Sequence, residues 1–512
     1  MIRLYTASAD NTIVNTFSSN LSKRATGSNS GVADILEVYS IYGRQTTSSQ
    51  ELSRVLIKFP VDQISNDRTA GRIPDSGSVN FYLNLYNAAT TKTVPRNMRL
   101  VVNPLFNPWQ EGTGLDLENY EDNTNGNEGS NWMSASATAS WNSVSGGGDF
   151  LSGTSADYRY EQLFENGLEN LQINITPLVE RWIKGSGGGG IANYGMGIKL
   201  TSSQEAKGFG KNVKASQDQP TQNIPDGATT SFYTKRFFAR GTQYYFKRPS
   251  IEAKWDSARK DHRGQFYISS SLAKSENIND IYFYNYVRGR LRTIPSSDSL
   301  IVSIYSSSAG EPTGSTLRIK NVNNNLAYAV SANEVETGVY KARLQVTSSL
   351  TTLHDVWTLG STQVHTGTIK PVSIGTAGHP REPTYFINIT NLQNSYMCNQ
   401  IARLNVYVRE KNWNPTIYTK AIATAPNLTI ATASYRVLRI RDGLEAIAHD
   451  TGSGILATGL SCDVSGNYFD FDMKLLEPDY EYGFKIAFYD EELSSWQEQN
   501  ELFKFRVSKN EY

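Results

Sequence analysis

Val79-Asn80-Phe81-Tyr82-Leu83-Asn84-Leu85 places an apolar side chain at every second position. An extended backbone turns successive side chains to opposite faces, so Val79, Phe81, Leu83 and Leu85 share one face while Asn80, Tyr82 and Asn84 share the other. This is the pattern of a strand buried on one side in an antiparallel sheet. The period recurs along the chain. Leu171, Ile173 and Ile175 alternate with Gln172 and Asn174, and Tyr340, Ala342, Leu344 and Val346 alternate with Lys341, Arg343 and Gln345. Near the end, Phe484, Ile486 and Phe488 share a face, as do Phe503, Phe505 and Val507. Helical spacing stands out only over Thr176 to Lys184. There Thr176 is placed to cap, Pro177 suits the first helical position, Leu178, Val179, Trp182 and Ile183 share one face, and Gly185 stops the run. The expectation is an all-β chain of three successive β-sandwich domains, jelly-roll or immunoglobulin-like, with long loops and one short helix.

The chain has 512 residues, in which 49 Lys and Arg balance 49 Asp and Glu, leaving no global positive field for nucleic acid or an acidic membrane. Charged residues make up 19% and aromatics 11%, with 29 Tyr and 40 Gly, a composition that suits a turn-rich β protein and excludes a coiled coil. Met1 to Asp10 lacks a basic start followed by an apolar run, so no conventional secretory signal is expected. No apolar run approaches the length of a membrane helix. The two cysteines, Cys398 and Cys462, build neither a disulfide framework nor a thiolate zinc site, and read as free thiols of a protein made in reducing cytoplasm.

Strand character over Ile251 to Trp255, followed by the charged stretch Asp256 to Arg263, sets a first boundary. Pro371, Gly375, Gly378, Pro380 and Pro383 interrupt the alternation and set a second. The expected domains are residues 1–256, 257–372 and 373–512. The polar segment Thr201 to Ser231 reads as a long loop inside the first domain, short of apolar anchors and suited to drape over a neighbouring subunit.

An ordered set of fragments runs through the first half: Asp10-Asn11-Thr12-Ile13, Leu36-Glu37-Val38-Tyr39, Arg54-Val55-Leu56-Ile57-Lys58-Phe59-Pro60, Trp109-Gln110-Glu111-Gly112-Thr113-Gly114, Ile175 to Trp182, and Asn193 to Leu200. The set resembles the DNRLRE-type β-sandwich module of bacterial surface, carbohydrate-binding and phage virion proteins. It departs from that module by insertions around Asp116 to Asp157 and Ser203 to Thr230. Tyr233 to Arg240, Phe246 to Trp255, Ile281 to Gly289 and Ala402 to Arg409 are similar to virion structural proteins of tailed phages of marine bacteria and cyanobacteria. Leu476-Glu477-Pro478-Asp479-Tyr480-Glu481-Tyr482 resembles the tyrosine corner of fibronectin type III domains.

Catalytic patterns are scarce. The five histidines, His262, His354, His365, His379 and His449, form no His-Glu-x-x-His pattern, and neither a Gly-x-Ser-x-Gly elbow nor a phosphate-binding loop is present. Glu121, Asn123, Asn125 and Gly126 begin like a calcium loop, but its twelfth place is Trp132 where a bidentate Glu is required. A looser calcium site would use Asp116, Glu118, Glu121, Asp122 and Glu128, against the plainer reading of a solvated acidic loop. Asp470 and Asp472 share a strand face, as a glycosidase pair must, but such pairs arise by chance in most proteins. No enzyme, resident metal or cofactor is expected.

Two groups remain. Tyr282, Tyr284 and Tyr286 form one stripe, followed by Arg288, Arg290 and Arg292; this is the candidate protein interface, weighed against core packing and a solvated basic strip. Trp109, Trp132 and Trp141 are candidate glycan-stacking residues, with Trp109 also readable as core. The leading expectation is a non-enzymatic structural component of a tailed-phage virion, an accessory protein of neck, tail or capsid. Its partners would be other virion structural proteins and further copies of itself, without nucleic acid or membrane, and it would be made in host cytoplasm. The alternative is a carbohydrate-binding surface or adhesion module taking a host surface glycan.

Overall fold

The computed structural model describes the chain apart from residues 18–23, 44–49, 92, 116–128, 144, 152–157, 210–220, 265, 269–277, 297, 307–315, 322, 324, 347–349, 351, 370, 373–384, 412, 414–426, 451–455, 491–492 and 510–512. The protein is all-β, with sandwiches built from antiparallel sheets. Its contacts divide it into Ile2–Lys254 and a second unit of Trp255–Tyr512 with Met1.

In the first unit, Asn80–Leu85 sits between Ser250–Lys254 and Leu171–Asn174 in a sheet of four strands, with Ile2–Thr6 at the edge. Val79, Phe81, Leu83 and Leu85 are buried, as the alternation requires. Asn84 departs from it, because Glu252 on the neighbouring strand accepts a 3.0 Å hydrogen bond from its amide. The larger sheet runs Phe232–Phe238, Ile35–Tyr42, Gln50–Lys58, Met196–Leu200, Met98–Pro104, Tyr160–Phe164, with Ala9–Val14 beside Gln50–Lys58.

Two α-helices are present among the described residues, where one was expected. The second, α2 (Thr176–Lys184), has the predicted bounds and buries Leu178, Val179 and Trp182. Its start differs from expectation. The Thr176 hydroxyl accepts from the Phe81 N–H at 2.8 Å and donates to Asn174, so it pins the helix to the sheet and caps nothing. The first, α1 (Val61–Thr69), follows Pro60 and turns Val61, Ile64 and Asp67 inward. The third inward position is a charge, neutralised by Arg3 at 2.7 Å and Arg72 at 3.0 Å, so no apolar stripe marks this helix in the sequence.

The polar segment Thr201 to Ser231 is anchored to its own domain where it is described, contrary to expectation. Glu205 pairs with Arg54 through two 2.9 Å hydrogen bonds, Ala206 is buried, and Gly208–Phe209 pairs with Asn223–Ile224. Polar and ionic bonds, with Ala206 and Ile224 packed in the apolar cluster, anchor the segment. Residues 210–220 lie outside the described residues.

The second unit holds two further pairs of sheets. One pair is built on Asn279–Tyr284 with Val339–Val346 and on Leu300–Tyr305 with Leu353–Leu359. Ile281, Val302, Leu344 and Trp357 meet in its core. The other pair is built on Ile401–Glu410 with Gly466–Asp472 and on Ala433–Arg439 with Glu481–Asp490. Its core is aromatic, with Phe484 stacked on Phe505 at 4.5 Å and Tyr435 on Phe469 at 4.5 Å. The buried Tyr482 hydroxyl donates to the Glu477 carbonyl at 2.7 Å, tying the strand to the turn before it.

Candidate functional site

The tyrosine stripe starts inside the second sandwich and ends outside it. Tyr282, Tyr284 and Tyr286 stand on one face with successive rings stacked 6.3 and 6.5 Å apart, while Phe283 turns the other way and stacks on Trp357 at 5.5 Å. Exposure rises along the row: Tyr282 is buried, Tyr284 half-buried, and Tyr286 is 59% exposed.

What covers the first two rings belongs to the same chain. Residues 259–261 run beside Ser461–Asp463 of the third sandwich, with Cys462 N–H donating to Arg259 O and Asp261 N–H to Cys462 O, each at 2.9 Å. Two residues on, Arg263 bridges back to the second sandwich. Its guanidinium donates to Asp355 at 2.7 and 3.1 Å, to Asp261 at 2.6 Å and to the Tyr282 carbonyl at 2.7 Å. The Arg259 guanidinium lies over the Tyr284 ring at 5.8 Å and pairs with Glu336. Tyr284 and Tyr468 act on each other electrostatically, and burial raises both hydroxyl pKa values. Tyr282 and Tyr284 therefore belong to an intrachain junction of the two sandwiches, and the surface left for a partner begins at Tyr286.

Beyond Tyr286 the chain forms a two-residue hairpin, with Tyr286 opposite Leu291 and Val287 opposite Arg290. Arg288 and Gly289 both take positive φ, at 51° and 75°, the geometry of a type I′ turn. Arg288, Arg290 and Arg292 are exposed, and among the described residues none has an acidic partner for its side chain. Val287 is exposed beside them. The hairpin thus presents an aromatic ring, an aliphatic side chain and uncompensated positive charge.

The glycan-stacking expectation for Trp132 and Trp141 is overturned. Both are buried in a cluster with Ile13, Leu52, Leu56 and Leu105 of the first domain, with indole N–H groups donating at 2.9 Å to Ser145 O and Asn131 O. A ring packed on both faces has none left for a sugar. Trp109 is half-buried, its indole spent on Tyr194 O at 2.8 Å, in the same cluster.

The carboxylates considered for catalysis have other work. Asp470 pairs with Arg403 at 2.9 Å, and Asp472 is buried and accepts from the Lys474 N–H. A serine, histidine and glutamate that no sequence pattern flagged do come together: Ser434 Oγ lies 3.1 Å from His449 Nδ1, and His449 Nε2 lies 3.5 Å from Glu498. The residue types suit a hydrolytic triad, but Ser434 is fully buried and its hydroxyl is 2.7 Å from Thr458 Oγ1, so no substrate carbonyl can reach it. Among the described residues no cluster of His, Cys, Asp and Glu is arranged to hold a metal ion, and the acidic loop 116–128 lies outside them. Among them, too, no helix is long and apolar enough to cross a membrane.

By its fold the chain is a tandem β-sandwich protein. No protein-family model and no curated sequence matches it. Among solved structures it is similar to the Yersinia pseudotuberculosis adhesin InvE, at 11% identity over 46% of this chain and 56% of that one, with a TM-score of 0.14. The chain thus spans little more than half the length of that adhesin. It is similar also to the Escherichia coli adhesin FdeC, at 11% identity over 54% of this chain and 77% of that one, TM-score 0.15. The tandem immunoglobulin repeats of Dlar match at 8% identity over 42% of this chain and 84% of that one, TM-score 0.13. Likeness at this level bears on neither the fold nor the role of this chain.

Proposed function

We propose that the protein is a non-enzymatic structural component of a tailed-phage particle, held there by contacts between proteins, and that the hairpin Tyr286 to Arg292 is one of its docking elements. The observation that carries this reading is the exposed hairpin itself. Three arginines without acidic partners among the described residues stand beside exposed Tyr286 and Val287, on a strand whose preceding residues are locked between two sandwiches. Tyr and Arg are the residues interfaces favour, and a rigid base lowers the ordering cost of docking. The sequence resemblance to virion proteins supports the particle as the setting.

The test is to quantify the protein in purified particles and to introduce R288E/R290E/R292E together. Reversed charges are expected to cut incorporation at least about tenfold, since like charges meeting at an interface cost several kcal/mol, while circular dichroism stays unchanged. Absence of the wild-type protein from particles overturns the virion reading. Normal incorporation of the triple variant overturns the hairpin as its contact.

A further inference from the structure

The outer face of the third sandwich carries a cleft of about 470 Å³ that the virion reading does not use. Its floor is the pair Ile401–Glu410 and Gly466–Asp472, where Asn405 lies opposite Tyr468. One wall is Asn427, whose amide accepts from Val408 N–H at 3.0 Å and donates to Ser465 O. Gly466 makes room for that wall, because a Cβ there would fall 2.0 Å from the Asn427 amide nitrogen. The rim is Thr390 on one side and the turn Asp463 to Ser465 on the other.

Side-chain amides hold the shape. Asn467 both accepts from and donates to the Ile430 backbone, at 2.8 and 2.7 Å, and Asn391 clamps the strand at Arg403 O and Asn405 N–H. The groups facing the opening retain hydrogen-bonding capacity. The Asn405 side-chain amide has no partner among the described residues, and Asp463 uses one carboxylate oxygen on the Ser465 N–H at 2.7 Å. Arg403 spends Nε and one terminal nitrogen on Asp470 and lies over the Tyr468 ring at 4.5 Å. Tyr407 adds an aromatic wall.

Charge limits the occupant. Arg403 is neutralised by Asp470, and Asp463 adds a carboxylate, so the cleft has no excess positive charge to offer an anion. An amide presenting both donors and an acceptor, beside a carboxylate and an aromatic wall, matches a ring bearing neighbouring hydroxyls. The volume lies within the range of small-ligand sites. We infer that this cleft binds a neutral saccharide unit, read by Asn405 and Asp463. The inference stands apart from the virion reading.

Saturation-transfer difference NMR on the full chain tests it, using lactose, maltose and di-N-acetylchitobiose as neutral probes and galacturonate as an anionic one. At least one disaccharide is expected to bind, with affinity falling about tenfold in Asn405→Ala, which removes the amide's hydrogen bonds, and in Asp463→Asn, which puts a donor where the carboxylate accepts. Galacturonate is expected to bind more weakly than the neutral probes. The hairpin variant R288E/R290E/R292E serves as a control that keeps binding. Asn405 is exposed and its side chain has no partner among the described residues, so its replacement leaves the fold intact, which circular dichroism verifies. No transfer to any disaccharide, undiminished transfer in both variants, or preference for galacturonate overturns the assignment.

Discussion

Arg54 and Arg288 carry the same guanidinium into opposite settings. Arg54 is 3% exposed, bonded to both oxygens of Glu205 and to Gly147 O, and lies 5.3 Å from the Trp132 ring. Arg288 stands at the tip of a hairpin with no acidic partner among the described residues. The first is held by its surroundings and holds them in turn: the loop carrying Glu205 stays down because a buried charge must be answered. The second makes no such bond among the described residues. A charge left unanswered at the surface, in a conformation unfavourable to its side chain, is where a contact with another molecule is to be sought.

The largest effect expected from this contrast is at the buried pair. Arg54→Ala leaves Glu205 buried and uncompensated and should cost about 3–5 kcal/mol in denaturant unfolding of the first domain. Trp132→Ala, beneath the same guanidinium, should cost about 3–5 kcal/mol through the cavity it opens. A loss below about 1 kcal/mol in both would mean that this part of the domain is as open as the hairpin, and the comparison would fail.

A second buried charge sharpens the contrast through pH. Asp10 is 1% exposed, and burial pushes its pKa up from 3.8 to about 7, against the opposing pull of the Arg240 backbone N–H. The folded value lies above the unfolded one, so the folded state holds the extra proton between them. Its contribution is complete below the unfolded value and is lost as pH rises through the folded one. The denaturation midpoint of the first domain should therefore decrease as pH rises from about 4 to about 7, and Asp10→Asn should flatten that slope. An unchanged slope in the variant would remove Asp10 from the account.

These outcomes bear on what the sequence allowed one to read. Alternation in Val79 to Leu85 translated directly into burial, because a strand's two faces are set by backbone geometry alone. Helix α1 escaped because its third inward residue is Asp67, answered by Arg3 and Arg72 from other elements. The alternation grouped Tyr282, Tyr284 and Tyr286 correctly, yet nothing local revealed that Tyr468 and Arg259 cover part of the row. Trp132 and Trp141 looked available because polar residues surround them in sequence, but they pack into one cluster with Ile13, Leu52, Leu56 and Leu105, residues distant in sequence. The cleft at Asn405 left no signature, since its residues come from separated strands and turns.

Between the buried and exposed extremes lies the junction. Tyr284→Phe removes the hydroxyl that faces Tyr468 and keeps the ring beneath Arg259. The expected cost is a few tenths and at most about 1 kcal/mol, the ordinary net value of one hydrogen bond, read in unfolding of the second unit. A cost near zero would place Tyr284 with the hairpin and leave it available to a partner.

The smallest effect belongs to the hairpin tip, and it separates fold from contact most cleanly. In a type I′ turn both central residues need positive φ, which Asn tolerates better than Arg, and Arg288 sits at 51° ahead of Gly289 at 75°. Arg288→Asn should leave stability unchanged or raise it by a few tenths of a kcal/mol, while removing one of the exposed charges. If the arginine were there for the turn, the substitution would destabilise the second unit and the hairpin would join Arg54 as structure. If it is there for a partner, stability holds and incorporation into particles drops, by less than in the triple reversal because one charge is lost and none is inverted.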